Sequence, residues 1–236
     1  MNQTMNSIIE YSGYPITTGS SVIGIKYNNG VVIAADTMGN YGNMHRYPNV
    51  QRLLKINENT VLGVSGDLAD YQKVKSMVEN RMLQEDLNDD GYKMTPLILH
   101  SWLTRILYQA RCKMNPFWNT YIVGGVQDGL KYLGYVDKIG IAFTGNTLAC
   151  GFGLHIAQVL CTYIVLPILR NFYESKQGNI IKEEAVSVVK KCIEVLYCMD
   201  KQSSDQFQIA IVDNTEGSSV SDVAKVESNW DIADYV

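Results

Sequence analysis

The chain has 236 residues, 46% of them hydrophobic, which is enough to bury one full-sized core. Its formal net charge is -4, with 20 Lys and Arg residues against 24 Asp and Glu residues, and no basic run exceeds the pair Lys190-Lys191. A nucleic-acid partner is not expected, because phosphate binding requires clustered basic side chains. No segment has about 18 uncharged apolar residues, so a membrane partner is not expected either.

The cysteines and histidines do not follow a pattern typical of disulfides or metal sites. The cysteines are odd in number and set in apolar segments, as expected of reduced thiols: Cys112, Cys150, Cys161, Cys192 and Cys198. The histidines do not stand near a cysteine pair at metal-ligand spacing: His45, His100 and His155. We therefore expect no metal and no cofactor, and a location in the cytoplasm and nucleus.

The first third of the chain reads as short strands separated by turns. Residues 21–27 alternate and residues 30–35 are continuously apolar, with a tight hairpin turn at residues 28–30. Residues 51–56 and 60–64 form a second pair of predicted strands. Four strands are thus predicted before any helix.

Helical periodicity begins after Asp67, and residues 88–91 end the pattern. The apolar positions of this first helix are Tyr71, Val74, Val78 and Met82. Thr95 and Pro96 are predicted as the N-cap and first-turn proline of a second helix. The buried face of the second helix is marked by Leu99, Trp102, Leu103, Ile106 and Ala110.

The second half repeats this order of strands and helices. Strands are predicted at residues 120–123, 130–136 and 140–143, helices at 154–173 and 182–199, and a last strand at 207–212. Regular alternation of strand and helix is missing, which disfavours a parallel doubly wound sheet. The order predicts an α+β fold, a four-layer αββα sandwich with a helix pair on each outer face.

Four segments carry a resemblance to a known family. They are GSSVIGIKYNNGVVIAADTMGNYG at residues 19–42, HSWLTRILYQARCKMNPFWNT at 100–120, YLGYVD at 132–137 and NWDIA at 229–233. The chain resembles proteasome β subunits, in particular the subfamily at the seventh β position of the eukaryotic ring. The resemblance implies the αββα sandwich of the N-terminal nucleophile hydrolases.

In active members of that family an N-terminal threonine, freed by self-cleavage, attacks a peptide carbonyl while its own α-amine takes the proton. The resemblance places Asp36 at the family's aspartate, Ser20 at the nucleophile 16 residues earlier, and Arg52 at the lysine 16 residues later. Arginine stays charged and has a planar fork. We therefore predict a structural, bidentate ion pair between Arg52 and Asp36 in place of a catalytic couple.

Of the other family positions in the site, two have the expected residue type and one does not. The resemblance places Asp200 and Ser203 at the aspartate and serine that support the terminal amine, and Phe152 where a further serine is expected. A phenyl ring cannot donate a hydrogen bond to an amine or orient it. These losses predict that the site is inactive.

By the same resemblance the chain divides into a leader at residues 1–19, an αββα domain at 20–217 and a tail at 218–236. The leader has no basic or continuously apolar region typical of a secretory signal. The tail is expected to contact neighbouring subunits, with a tail folded onto its own domain as the alternative. Its candidate interface residues are Trp230, Ile232 and Tyr235.

Three hypotheses of function follow. The first is a non-catalytic β subunit of the 20S proteasome core, which builds the β ring and the proteolytic chamber for ubiquitin-dependent degradation with the other α and β subunits. The second is a Ser20 peptidase of the N-terminal nucleophile type, formed by cleavage of the Gly19-Ser20 bond. The third is a free-standing amide hydrolase of the same fold.

Overall fold

The computed structural model of the chain describes residues 14–88, 91, 93–151 and 166–226. In this part of the chain the strands are β1 (Thr17–Gly19), β2 (Val22–Tyr27), β3 (Gly30–Asp36), β4 (Gly39–Tyr41), β5 (Met44–Tyr47), β6 (Leu53–Asn57), β7 (Thr60–Asp67), β8 (Asn119–Gln127), β9 (Leu130–Val136), β10 (Ala142–Thr144), β11 (Thr147–Cys150), β12 (Gln206–Asp213), β13 (Gly217–Val220) and β14 (Ala224–Lys225). The helices are α1 (Leu68–Asn88), α2 (Pro96–Cys112), α3 (Leu166–Ser175) and α4 (Lys182–Met199).

The strands form two antiparallel sheets. In the larger sheet the described strands follow the order β10-β9-β8-β7-β1-β4-β5, and β6 pairs with β7. In the smaller sheet the order is β11-β2-β3-β12-β13, and β14 pairs with β12. Short turns account for much of this pairing, since hairpins join β2 to β3, β6 to β7 and β8 to β9.

The two sheets stack face to face around a core of side chains from both inner faces, including Val31, Ile33 and Ile122. Because successive residues of a strand point to opposite faces, Val32 and Ala34 of the same strand point outward, into the core beneath the helices. Helices α3 and α4 cover this face, and α1 and α2 cover the outer face of the larger sheet. The predicted four-layer αββα sandwich is confirmed.

The start of α2 follows the predicted capping pattern. Thr95 is the N-cap, and its Oγ1 accepts a hydrogen bond from the backbone N–H of Ile98 at 3.3 Å. Pro96 occupies the first turn, where a missing N–H costs no helical hydrogen bond. The buried face of α2 includes Leu99 and Leu103, as the spacing predicted.

Strand pairing extends beyond residues 20 and 217, the limits predicted for the domain, and the division into leader, domain and tail stays a prediction. Strand β1 lies in the predicted leader, yet it pairs with both β4 and β7. Strands β13 and β14, from the predicted tail, pair with β12. These segments are too short to show a clear hydrophobic period, and their backbone groups are satisfied by strands that are distant in sequence. The prediction also missed β4, β5 and β11.

Some predicted features lie outside the described residues. They are the residues Phe152, His155, Cys161, Trp230, Ile232 and Tyr235, the first part of the helix predicted at 154–173, and most of the predicted leader. Within the described ranges, no helix is long and apolar enough to cross a membrane.

Candidate functional site

The candidate site lies where β1 ends and β2 begins. Ser20 is at this junction, Asp36 is the last residue of β3, Arg52 comes just before β6, and Asp200 directly follows α4. All four side chains are buried. Residues far apart in sequence are therefore brought together at the end of the two stacked sheets.

The guanidinium of Arg52 is the centre of this site, and each of its five N–H groups has an acceptor. Nε donates to the backbone carbonyl of Asp36 at 2.9 Å. Nη1 donates to the carbonyl of Ser20 at 2.7 Å and to that of Val64 at 3.3 Å. Nη2 donates to the carbonyl of Ser21 at 3.1 Å and to Oδ1 of Asp36. Arg52 thus ties the start of β2 to the ends of β3 and β7.

The ion pair predicted between Arg52 and Asp36 is present, with the two side chains 1% and 3% exposed. The predicted bidentate geometry is not observed in this pair. Only Nη2 of the guanidinium contacts the carboxylate, since Nε contacts the backbone carbonyl of Asp36 and Nη1 points to two other carbonyls. The second carboxylate oxygen, Oδ2, accepts from the backbone N–H of Met38 at 3.3 Å.

Burial raises the pKa of the Asp36 carboxyl, and the adjacent Arg52 guanidinium opposes that rise. The pKa of the neighbouring Cys150 thiol is raised to about 12, chiefly by burial. A thiol with this pKa is not a nucleophile at neutral pH. The charged groups here therefore stabilise each other and do not activate a thiolate.

The hydroxyl of Ser20 is directed at Asp200. Ser20 Oγ donates to Asp200 Oδ2, and Asp200 Oδ1 accepts from the backbone N–H of Gln202 at 2.8 Å. The backbone N–H of Ser203 donates to the carbonyl of Asp200 at 3.0 Å, which closes the turn after α4. Ser20, Asp200 and Ser203 therefore form one connected group, with Ser203 joined through its backbone.

Sequence reasoning missed Ser65, which also belongs to the site. Its Oγ donates to the carbonyl of Ser20 at 2.6 Å. Gly151 closes the same side: its φ is +74°, and a Cβ there would stand 2.8 Å from Ser65 Oγ and 2.9 Å from the Ser20 carbonyl oxygen. Ser65 could not be assigned from sequence, because its role depends on the pairing of β7 with its neighbours, whereas Gly151 adjoins position 152, which the resemblance placed in the site.

Strand β1 occupies the strand position directly before Ser20. Thr18 is opposite Asn40 of β4 on one side and Asp67 of β7 on the other. In the uncleaved chain the backbone nitrogen of Ser20 is part of the peptide bond to Gly19, so it is an amide and cannot act as a base. While β1 is in place, an extended peptide substrate has no free strand position between β4 and β7.

Among the described residues no group of three or more His, Cys, Asp or Glu is placed to hold a metal ion. The site therefore consists of an arginine-centred hydrogen-bond network and a serine held by an aspartate. Two stacked antiparallel sheets between helix layers, with this site at a strand junction, define the sandwich of the N-terminal nucleophile hydrolase class.

A model of the proteasome subunit family matches residues 16–212, and the chain belongs to this family. It is 44% identical over 222 residues to proteasome subunit beta type-4 of Xenopus laevis, an alignment that covers 94% of this chain and 88% of that protein. It is 36% identical to proteasome subunit beta type-4 of Arabidopsis thaliana, over 94% of this chain and 85% of the relative. It is 38% identical to proteasome subunit beta type-7 of Saccharomyces cerevisiae, in an alignment that covers 93% of this chain and 82% of that protein.

Proposed function

We propose that the chain is a non-catalytic β subunit of the 20S proteasome core, which builds the β ring and the wall of the proteolytic chamber. The relatives named beta type-4 support this assignment, because they are similar over nearly the whole chain. The main supporting observation is that all five N–H donors of Arg52 are hydrogen-bonded to backbone and carboxylate oxygens.

The chemistry of the site supports a structural role. A nucleophilic serine needs a group that can accept its proton and a path for the substrate carbonyl. Arginine keeps its proton at neutral pH, and in the uncleaved chain the nitrogen of Ser20 is an amide. Strand β1 fills the position beside the hydroxyl. Arg52 therefore opposes the Ser20 peptidase hypothesis whether or not the chain is cleaved, whereas the amide nitrogen and β1 oppose it only while the bond between Gly19 and Ser20 is intact. The group that accepts a hydrogen bond from the Ser20 hydroxyl is the carboxylate of Asp200.

The same proposal assigns the partners. As a member of a ring, the chain would contact the other α and β subunits in stacked seven-membered rings and serve ubiquitin-dependent protein degradation. The location of the protein in the cytoplasm and nucleus stays a prediction. The contribution of Trp230, Ile232 and Tyr235 to contacts with neighbouring subunits is also a prediction.

The proposal is tested on native extract. Gel filtration should elute the chain with a very large particle, whereas a free-standing amide hydrolase would elute as a monomer or small oligomer. The particle is then treated with an electrophilic peptide probe and analysed by mass spectrometry. We expect labelled threonines on other subunits and an unlabelled Ser20. A covalent adduct on Ser20 would establish the peptidase hypothesis instead.

A further inference from the structure

At the β5 edge of the larger sheet lies an exposed aromatic surface that the described residues do not cover. We define the hairpin surface as Tyr14, Tyr41, Met44, Arg46 and Tyr47, formed by the β4–β5 hairpin and the residue where the described chain begins. Tyr14 is 87% and Met44 60% exposed, and all four residues of β5 are exposed. No described strand pairs with the outer side of β5.

This edge has a register shift between Gly39 and Asn40 in the pairing of β4 with β5, but little of the charge that protects free edges. Free edge strands are commonly defended by lysine, by inward-pointing charge or by bulges, since unpaired backbone invites association. Between residues 38 and 49 the single charged side chain is Arg46. Tyrosine, methionine and arginine are instead the residue types enriched at protein interfaces.

Arg46 is held in place by the two tyrosines. Its guanidinium carbon lies 5.4 Å from the ring centroid of Tyr41 and 5.6 Å from that of Tyr47. Among the described residues it forms no ion pair. Its N–H groups form no hydrogen bond with the described residues, and a guanidinium suits a carboxylate on another molecule because its planar fork binds both carboxylate oxygens.

The hairpin is also fixed to the body of the domain. Asn40 Nδ2 donates to the carbonyl of Gln202 at 2.7 Å, and His45 Nε2 lies 2.8 Å from the carbonyl oxygen of Lys201. Gln202 Nε2 donates to the carbonyl of Gly42 at 3.2 Å. Three hydrogen bonds thus hold the hairpin on the turn that follows Asp200. A surface held in this way loses little conformational entropy when a partner binds.

We propose that the hairpin surface is the contact for a neighbouring subunit of the particle, which presents a carboxylate to Arg46 and an apolar side chain to Met44. This inference rests on the proposed function, because a chain assembled in a ring needs lateral contacts that an isolated chain leaves exposed. The competing occupant is the chain's own residues 1–13, which enter the described part at Tyr14.

The test places a photo-crosslinking amino acid at Met44 of the full chain, expressed in cells that assemble the particle. Irradiation of the purified particle should link this position to one other proteasome subunit, at a peptide containing Asp or Glu. Links confined to residues 1–13 of the same chain, or no link to another subunit, would overturn the inference.

Charge reversal provides the second measurement. Arg46→Glu should lower incorporation into the particle at least about tenfold, whereas Arg46→Lys should lower it less. Arg105→Glu, the same reversal at an exposed residue of α2, is the matched control and should incorporate like wild type. Equal incorporation of Arg46→Glu and wild type would refute the contact while leaving the proposed function intact. Failure of the wild-type chain to elute with the particle would refute the proposed function itself.

Discussion

A Cβ atom on Gly19 would stand 2.5 Å from Cδ of Arg52 and 3.1 Å from its Nε. The glycine before Ser20 is therefore required by the arginine that packs over it, whether or not the bond between Gly19 and Ser20 is ever cleaved. Arg52 cannot easily move aside, because five hydrogen bonds fix its guanidinium. Gly19, Ser20 and Arg52 form one structural unit.

Gly19→Ala should therefore destabilise the chain by about 1–3 kcal/mol, the usual cost of overpacking a rigid site. Urea unfolding of the full chain measures this loss. A double-mutant cycle combines Gly19→Ala with Arg52→Ala. The stability losses of the two single variants should sum to more than the loss of the double variant, because the clash disappears when the arginine is removed. Additive losses would show that the clash between Gly19 and Arg52 is not the cause.

Arg52→Ala should cost about 3–5 kcal/mol of unfolding free energy, because Asp36 would stay buried without its cation. The matched control is Arg170→Ala, since Arg170 forms an exposed pair with Glu174 at 2.7 Å. That change should stay within about 0.5 kcal/mol. Similar losses in the two variants would contradict the special role given to the buried pair.

Arg52→Lys should not make Ser20 reactive. The change restores the residue type of the active family members, but as long as the bond between Gly19 and Ser20 is intact the nitrogen of Ser20 is an amide and β1 fills the strand position beside it. The electrophilic peptide probe, applied to particles that contain the variant, should leave Ser20 unlabelled. A labelled Ser20 would mean that the missing lysine alone explains inactivity.

Ser20→Ala should lower stability and leave catalysis unchanged. The substitution removes the donor to Oδ2 of the buried Asp200, which costs about 1–3 kcal/mol. Thermal unfolding measures that loss, and peptide hydrolysis by the assembled particle should equal that of wild type per particle. A specific loss of hydrolysis without loss of assembly would show that the hydroxyl has a catalytic function.

Stability should fall as the pH rises above about 9. Burial raises the pKa of the Cys150 and Cys192 thiols from 9.0 to about 12 in the folded chain. Between these values the unfolded chain has lost the thiol protons and the folded chain keeps them, so each thiol removes about 1.4 kcal/mol of stability per pH unit. Urea unfolding from pH 8 to 11 should show a shallower decline for Cys150→Ala, whereas Cys112→Ala, at an exposed thiol, should decline like wild type.

The hydrophobic periods and turn residues of the sequence predicted the longer elements, from the β2–β3 hairpin to α4. The same reasoning missed β1 and β13, because three or four residues are too few to show a period and their pairing depends on distant strands. It placed Arg52 beside Asp36 through the resemblance, but not the serine at position 65.

The sequence by itself determined the layers of this protein and the residue types available at the site, because apolar periodicity and side-chain chemistry are local properties. The tertiary structure alone decided how the guanidinium of Arg52 divides its donors among three chain segments. It also decided that β1 lies between β4 and β7 and fills the strand position before Ser20. Both depend on strand register, which is set by pairing between residues far apart in the chain.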